Sequence, residues 1–207
     1  MSRKAISQET CYLGVLRGEE EFNYGCPLVA FFVLGNYMKS IKLISRIAIF
    51  TALAIALGYI LSFVPNLELV TSTIFLSGVL LGGSAGMLVG ALSFLVFGFA
   101  NPMGPSPLPL LVSQMLGGMF AGFMGGIYKR KDWNRAYILI LLGILITFIY
   151  DILTTSVGWI FFPTKNTFLA YLIVGLPFVL WHIWTQSLIY GFILFPIVKH
   201  LKKRTSY

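Results

Sequence analysis

The sequence predicts an all-α integral membrane protein with six transmembrane helices and with its N- and C-termini in the cytoplasm. Of the 207 residues, 57% are hydrophobic and only 11% are charged, whereas soluble domains carry about 25% charged residues. Long apolar runs alternate with short turns or basic clusters. This composition excludes an ordinary soluble domain and a disordered chain.

The net charge of +8 would favour a nucleic-acid partner in a soluble protein. Here the basic residues lie in short clusters between apolar runs, which is typical of the cytoplasmic loops of membrane proteins. We therefore expect the lipid bilayer as the surrounding partner, and no nucleic acid.

Residues 1–37 differ in composition from the rest of the chain. They contain an apolar run, 27–35, that is too short to span a bilayer. From Met38 onward, basic residues lead directly into a long apolar helix. We expect residues 1–37 to be an N-terminal extension that is either disordered or the result of an upstream start-site assignment. Residues 38–207 then form the six-helix membrane domain.

Six segments have the character of membrane helices, since a bilayer core of about 30 Å needs about 20 apolar residues per helix. Turn residues such as Pro65-Asn66 and Asn101-Pro102 separate several of them. The predicted spans are 43–63, 68–82, 85–100, 108–128, 136–162 and 168–198.

Three basic clusters set the orientation. They precede the first span, separate the fourth from the fifth, and follow the sixth, so an even number of spans puts all three on one side. The positive-inside rule makes that side cytoplasmic. The clusters are Lys39, Lys42 and Arg46; Lys129, Arg130, Lys131 and Arg135; and Lys199, Lys202, Lys203 and Arg204.

Small residues recur at helical spacing in two spans. The fourth span has two small-xxx-small registers, which predict close helix packing in lipid; they comprise Gly117, Gly118, Ala121, Gly122, Gly125 and Gly126. The first span carries Ala48, Ala52 and Ala56 at intervals of four. This alanine stripe has two interpretations, packing inside the bundle or docking of a partner helix.

Polar side chains within the spans are candidates for function, because burying them in a bilayer is costly. Their spacing forms stripes on the second, fifth and sixth spans, at the midplane or in the outer half. One interpretation is a pocket for a planar, hydrogen-bonding small molecule; the other is that Asp151 and His182 pair across helices as a structural contact. The stripes are Glu68, Thr71 and Ser72; Thr147, Asp151, Thr154, Thr155 and Gly158; and His182, Thr185 and Gln186, with Gln114, Tyr150, Trp159, Trp181 and Trp184 nearby.

The sequence offers little for catalysis. Gly82-Gly83-Ser84-Ala85-Gly86 matches the G-x-S-x-G pattern, but it joins two membrane helices instead of a strand and a helix. No Gly-Lys-Ser/Thr occurs, so any ATP must be hydrolysed by another subunit. We expect no catalytic residue, no metal and no cofactor. The outer loop 101–109, with its four prolines, is either a lid or a stiff connector.

Taken together, these features resemble the substrate-binding S component of an energy-coupling factor (ECF) vitamin transporter. The resemblance covers about residues 40–204 and rests on the size, the six spans, the Gly-rich centre and four motifs. The motifs are the alanine stripe, Pro65-Asn66-Leu67-Glu68-Leu69-Val70-Thr71, Ile74-Phe75-Leu76-Ser77-Gly78 and Asn101-Pro102-Met103-Gly104-Pro105.

The resemblance implies a function in the cytoplasmic membrane of a prokaryote. Such a subunit binds a vitamin or related micronutrient from outside. It works with a transmembrane coupling subunit and two cytoplasmic ATPases, and the face of Ala48, Ala52 and Ala56 is its docking surface. The expected substrate-binding residues are Glu68, Gln114, Asp151, Trp159, His182 and Gln186. A second hypothesis is a stand-alone secondary transporter that uses Asp151 and His182 as proton-coupling groups.

Overall fold

The computed structural model describes residues 28–63, 69–101, 104–131, 133, 135–162 and 167–205, with side chains from residue 40 to residue 201. Within these ranges the regular structure is entirely helical. The helices are α1 Leu28–Leu61, α2 Val70–Leu81, α3 Gly83–Phe99, α4 Leu108–Arg130, α5 Ala136–Phe161 and α6 Phe168–Leu188, followed by a π-helical segment Ile189–Leu194 and α7 Phe195–Thr205.

Among the described residues, four stretches are long and apolar enough to cross a membrane: Ser40–Leu61, Leu108–Arg130, Ala136–Phe161 and Phe168–Leu201. The helices α2 and α3 are apolar but shorter. Apart from the start of the first helix, the ends of these four stretches and two shorter helices agree with the predicted spans to within a few residues. The first helix differs, because it begins at Leu28 and not near residue 43. The hypothesis about residues 1–37 stays a prediction, since residues 1–27 lie outside the described part of the chain.

The tightest packing joins α2, α3 and α4 through glycines that face one another. A Cβ on Gly86 would lie 2.6 Å from the Gly78 Cα, and one on Gly118 would lie 2.9 Å from the Gly90 carbonyl oxygen. A Cβ on Gly122 would overlap the backbone of Gly86. Backbones approach this closely only where side chains are absent, so the predicted role of the glycines of the fourth span in helix packing is confirmed.

A single residue, Gly82, connects α2 to α3. Its φ of 104° lies in the left-handed region that glycine tolerates best. Beside this turn the Lys129 Nζ donates a hydrogen bond to the Leu80 carbonyl oxygen at 3.1 Å. A cation at the carbonyl end of a helix is favourable because it meets the negative end of the helix dipole. The contact therefore ties the end of α4 to the end of α2.

Two antiparallel helices, α5 and α6, complete the part of the bundle that positions the site. A Cβ on Gly143 would lie 2.7 Å from the Tyr190 ring, and one on Gly158 would lie 3.1 Å from the Tyr171 hydroxyl. The Tyr190 ring also makes an edge contact with Phe75 of α2, with ring centroids 5.3 Å apart. The last span thus packs on both α5 and α2.

The last span contains a helical irregularity that the sequence analysis does not predict. In the π-helical segment the Phe195 N–H donates to the Tyr190 carbonyl, five residues earlier. The next residue, Pro196, has no N–H to donate and its ring would crowd the preceding turn. A wider turn just before a proline accommodates this crowding. The segment follows Gln186 by three residues.

The outside of the bundle is apolar. Large hydrophobic side chains such as Ile49, Val174 and Phe192 are 65%, 68% and 78% exposed. A water-soluble monomer rarely exposes apolar surface on this scale, whereas lipid solvates it. The exterior agrees with the transmembrane character expected from the composition.

Candidate functional site

A carboxylate and an imidazole meet in the middle of the bundle. The His182 Nδ1 of α6 lies 2.9 Å from the Asp151 Oδ1 of α5 and 3.1 Å from its Oδ2. The two side chains are 7% and 12% exposed. Of the two interpretations left open by the sequence, the cross-helix contact between Asp151 and His182 is present. The pocket stays a prediction.

Aromatic rings enclose the imidazole on one side. The Tyr150 ring stands nearly perpendicular to the His182 ring, with centroids 6.4 Å apart. Tyr150 in turn packs against Phe94 of α3, with centroids 5.5 Å apart. Gly117 of α4 makes room for this arrangement, because a Cβ there would lie 2.5 Å from the Tyr150 ring. Helices α3, α4 and α5 therefore all shape the surroundings of His182.

A second polar contact lies one helical turn further along α6. The Ser72 hydroxyl of α2 donates to the Gln186 Oε1 at 3.3 Å, and Gln186 is fully buried. Residues four apart lie on the same face of an α-helix, so Gln186 and His182 face the same interior. The predicted polar stripe on the sixth span is confirmed as buried, including Thr185, whose hydroxyl donates to the His182 carbonyl.

Two tryptophans do not belong to this polar interior. Trp181 and Trp184 are 50% and 56% exposed, and they contact each other with ring centroids 5.4 Å apart. The interpretation of these rings as pocket aromatics is wrong, because α6 turns them toward the outside of the bundle. Tyr150, which packs against Phe94, provides the aromatic surface beside His182 instead.

The remaining predicted site residues have other contacts or lie outside the described residues. Gln114 of α4 is half-buried beside Gly98 of α3. Trp159 packs edge-on against Phe168 at the end where α5 meets α6, with centroids 5.2 Å apart. Trp159 is eight residues beyond Asp151, which corresponds to about 12 Å along the helix. Glu68 is not among the described residues.

Three residues that contact Gln186 or Tyr150 are absent from the predicted site. Ser72 belongs to a polar stripe, but the sequence does not show that it faces Gln186. Phe94 and Gly117 carry no polar signal at all. For Gly117 the available signal is the absence of a side chain, which marks a place where a neighbouring ring approaches the helix.

The alanine stripe lies on the outside of the bundle. Ala48, Ala52 and Ala56 are exposed, whereas Ala54 and Ile47 on another face of α1 are buried at 0% and 9% exposure. Of the two interpretations of the stripe, packing inside this bundle therefore does not hold. The stripe is a smooth, apolar surface on the exterior.

Comparison with known families decides the identity of the chain. Residues 42–194 match the family model described as ECF transporter, substrate-specific component. The chain belongs to this family. The match runs from just before the alanine stripe to the end of the π-helical segment, so it contains Ser72, Asp151, His182 and Gln186. Neither the curated proteins nor the solved structures that were compared with the chain give a match.

An ECF substrate-specific component is part of a transporter and not an enzyme. Among the described residues, no three His, Cys, Asp or Glu side chains are grouped so as to hold a metal ion. The polar groups at Asp151, His182, Gln186 and Ser72 are hydrogen-bonding groups in an apolar surrounding. Such an arrangement suits recognition of a small molecule.

Proposed function

We propose that this protein is the membrane-embedded subunit that captures a vitamin or a related small micronutrient from outside the cell and passes it inward. The observation that carries this proposal is the buried Asp151–His182 pair at mid-bundle, in a chain of the ECF substrate-specific family. Burying an ionisable pair inside a membrane costs free energy. Such residues are therefore rare there and mark functional sites by default.

The proposed binding region includes Asp151, His182 and Gln186, and extends toward the end of the bundle where α5 meets α6. Trp159 lies at that end, and Gln114 contributes from α4. Glu68 is included because it opens the predicted second span at the same depth. This region is lined by both hydrogen-bonding groups and aromatic rings, which is the usual lining of small-molecule sites.

The proposed topology has six spans, with both termini in the cytoplasm. The short helices α2 and α3 supply two of the spans, joined at Gly82. The described basic side chains Lys129, Arg130, Lys131 and Arg135 then lie on the cytoplasmic side, in accord with the positive-inside rule. The protein is a multi-pass component of a prokaryotic cytoplasmic membrane.

The proposed partners are a transmembrane coupling subunit and two cytoplasmic ATPase subunits. The exposed face of Ala48, Ala52 and Ala56 is the proposed docking surface, because three small side chains let a partner helix approach closely in lipid. A chain with no Walker A motif depends on such partners for ATP-driven transport.

Co-purification from the native cell tests this assembly. The tagged protein is extracted in mild detergent, and its partners are identified by mass spectrometry and by ATPase activity. We expect one membrane subunit and two ATPase subunits with the wild type, and their loss with Ala52→Glu. A wild-type protein that carries no ATPase while supporting uptake would contradict the assembly.

One observation favours a second candidate, a stand-alone proton-coupled transporter. Asp151 and His182 are in direct contact, and such pairs relay protons in carriers. Purified protein in liposomes distinguishes the two functions. Uptake of extracted cell metabolites that is driven by a proton gradient, without ATP or partner subunits, supports the carrier. The ECF function predicts no uptake under these conditions.

A further inference from the structure

We propose that the end of the bundle where α4 meets α5 binds an anionic phospholipid, whose phosphate contacts Lys129, Lys131 and Arg135 and whose acyl chain lies along α5. Such a lipid is a partner that the proposed function does not include. Its binding does not depend on which small molecule is transported.

The connection between α4 and α5 is too short to leave the membrane surface. The first helix ends at Arg130 and the second begins at Ala136, and both are long and apolar enough to cross a membrane. A connection of this length that is anchored at both ends extends at most about 8 Å from the helix ends, since an extended residue spans about 3.4 Å. The headgroup layer on each side of a bilayer is about 5–8 Å thick. The connection therefore lies at the depth of the lipid phosphates.

The charge of this segment is strongly positive. Residues 129–135 contain four basic residues and one acidic residue, Asp132, which leaves a charge of +3. The side chains of Lys129, Arg130, Lys131 and Arg135 are all exposed, so their charges are available to a ligand outside the bundle. The headgroups of anionic lipids carry the complementary charge at this depth.

Two of these cations are held in place by neighbouring groups. The Lys129 Nζ donates to the Leu80 carbonyl oxygen at 3.1 Å, and its ammonium group has further N–H groups to donate. The Arg135 Nη1 donates to the Tyr137 hydroxyl at 2.9 Å, and the guanidinium also has further N–H groups. A side chain that is already restrained loses less conformational entropy when it binds an anion. Lys129 and Arg135 are therefore favourable contacts for a lipid phosphate.

An aromatic contact holds the connection against α4. The Trp133 ring meets the Tyr128 ring edge-on, with centroids 6.2 Å apart, and Tyr128 packs on Phe75 of α2 with centroids 5.8 Å apart. Tyr128 is buried, so this contact ties Trp133 to the bundle. Tryptophan is also enriched at the headgroup level of membranes. Trp133 thus keeps the nearby cations Lys131 and Arg135 at the membrane surface.

An exposed apolar face begins directly beside the cations. Tyr137, Leu141 and Leu145 share one face of α5, because they follow one another at intervals of four, and all three are exposed. Cations at the head of an apolar helix face match a phospholipid, which joins a phosphate to acyl chains. A flexible acyl chain covers bulky side chains of this kind, whereas a partner helix approaches closely where side chains are small. A free phosphate would leave this face unused.

Native mass spectrometry of the full chain measures the binding. Delipidated protein in detergent is titrated with dioleoylphosphatidylglycerol, which is anionic, and separately with dioleoylphosphatidylcholine, which is zwitterionic. We expect the anionic lipid to bind at least about tenfold more tightly, because several basic residues contribute to its attraction. Equal binding of the two lipids overturns the proposal.

Variants that remove one charge locate the site. Arg135→Gln and Lys131→Gln should each weaken binding of the anionic lipid about fivefold, the usual contribution of one basic residue near an anionic headgroup. Lys42→Gln is the matched control, because it removes the same charge from an exposed position on α1, and it should leave the affinity nearly unchanged. Equal losses in all three variants, or no loss in Arg135→Gln and Lys131→Gln, overturn the proposal. Lys131→Gln alone carries this test if Arg135→Gln does not fold.

A polar substitution tests the acyl-chain contact on α5. Leu141→Asn should weaken binding of dioleoylphosphatidylglycerol, because it replaces an exposed apolar side chain next to the cations. Val112→Asn makes a similar change at an exposed position on α4 and should not weaken it. Equal affinities of these two variants contradict the placement of the chain along α5.

Other anionic partners give different results. Inorganic phosphate in large excess should not displace dioleoylphosphatidylglycerol, and displacement would assign the site to a free phosphate. A protein partner at this surface would be lost on co-purification with Arg135→Gln while the lipid affinity stays unchanged. Either result overturns the assignment to a lipid.

Discussion

Gly86 of α3 lies against Gly78 of α2 so closely that a Cβ on Gly86 would be 2.6 Å from the Gly78 Cα. This contact belongs to the glycine-lined packing that also includes Gly90, Gly118 and Gly122. The same three helices carry Ser72, Phe94 and Gly117 to the polar interior. The glycines of α2, α3 and α4 therefore support the site as well as the fold.

The first prediction concerns these glycines. Gly86→Ala should destabilise the protein by about 1–3 kcal/mol, the usual cost of overpacking a close contact, because the added methyl group would meet backbone atoms that cannot rotate away. The effect is measured by heating the protein in detergent and recording the loss of its monodisperse peak. Gly175→Ala, in open space, should unfold at the wild-type temperature. Equal stability of the two variants would show that α2 and α3 are not in backbone contact.

The second prediction concerns the hydrogen bond between Ser72 and Gln186. Ser72→Ala removes the donor and should cost about 1 kcal/mol of stability, as for a typical buried hydrogen bond. Because the bond joins α2 to α6, Ser72→Ala should also reduce the amount of small molecule that the protein retains on purification. Ser72→Thr keeps the hydroxyl and is the matched variant. If Ala and Thr at this position behave alike in both measurements, the hydrogen bond has no role.

The third prediction concerns the alanine stripe. Ala52→Leu should abolish ATP-dependent uptake in cells while leaving the stability and small-molecule content of the isolated protein unchanged, because Ala52 faces outward. Val112→Leu enlarges another exposed side chain and should have no effect on uptake.

Ala54 provides a contrast on the same helix. It is 0% exposed, so Ala54→Leu should lower stability even without any partner. Loss of stability in Ala52→Leu would place that residue in the bundle interior and would contradict its role in docking.

The fourth prediction concerns topology. The only cysteines are Cys11 and Cys26, so replacing both with serine gives a background for single-cysteine labelling of intact cells. Pro105→Cys should react with a membrane-impermeant maleimide from outside. Lys131→Cys should react only after the membrane is permeabilised. Both positions are exposed. Labelling of both from the same side would contradict the six-span arrangement.

Much of the fold follows from the sequence because bilayer thickness and turn residues limit where helices begin and end. The ends of α4 and α5 agree closely with their predicted spans. The role of Gly118 and Gly122 is also predictable, since small residues at intervals of four mark helix contacts in lipid. The match to a family of substrate-specific components agrees with the resemblance seen in the sequence.

The site is harder to predict because lipid and protein interior are both apolar. Apolar periodicity then does not show which face of a helix points inward. The sequence consequently groups Trp181 and Trp184 with His182, although both face outward. A shared depth likewise does not bring residues together, since Trp159, about 12 Å from Asp151 along α5, packs against Phe168 instead. The wider turn before Pro196 further changes the rotation of the last span.

The proposed function requires this protein to bind a small molecule in its membrane-embedded interior. Untargeted mass spectrometry of molecules extracted from the purified protein detects such binding, with Ala52→Glu and His182→Gln purified in parallel. We expect one compound enriched at near-equal molar ratio in the wild type and in Ala52→Glu, and reduced at least tenfold in His182→Gln. No enriched compound in the wild type, or equal amounts in all three proteins, would contradict it.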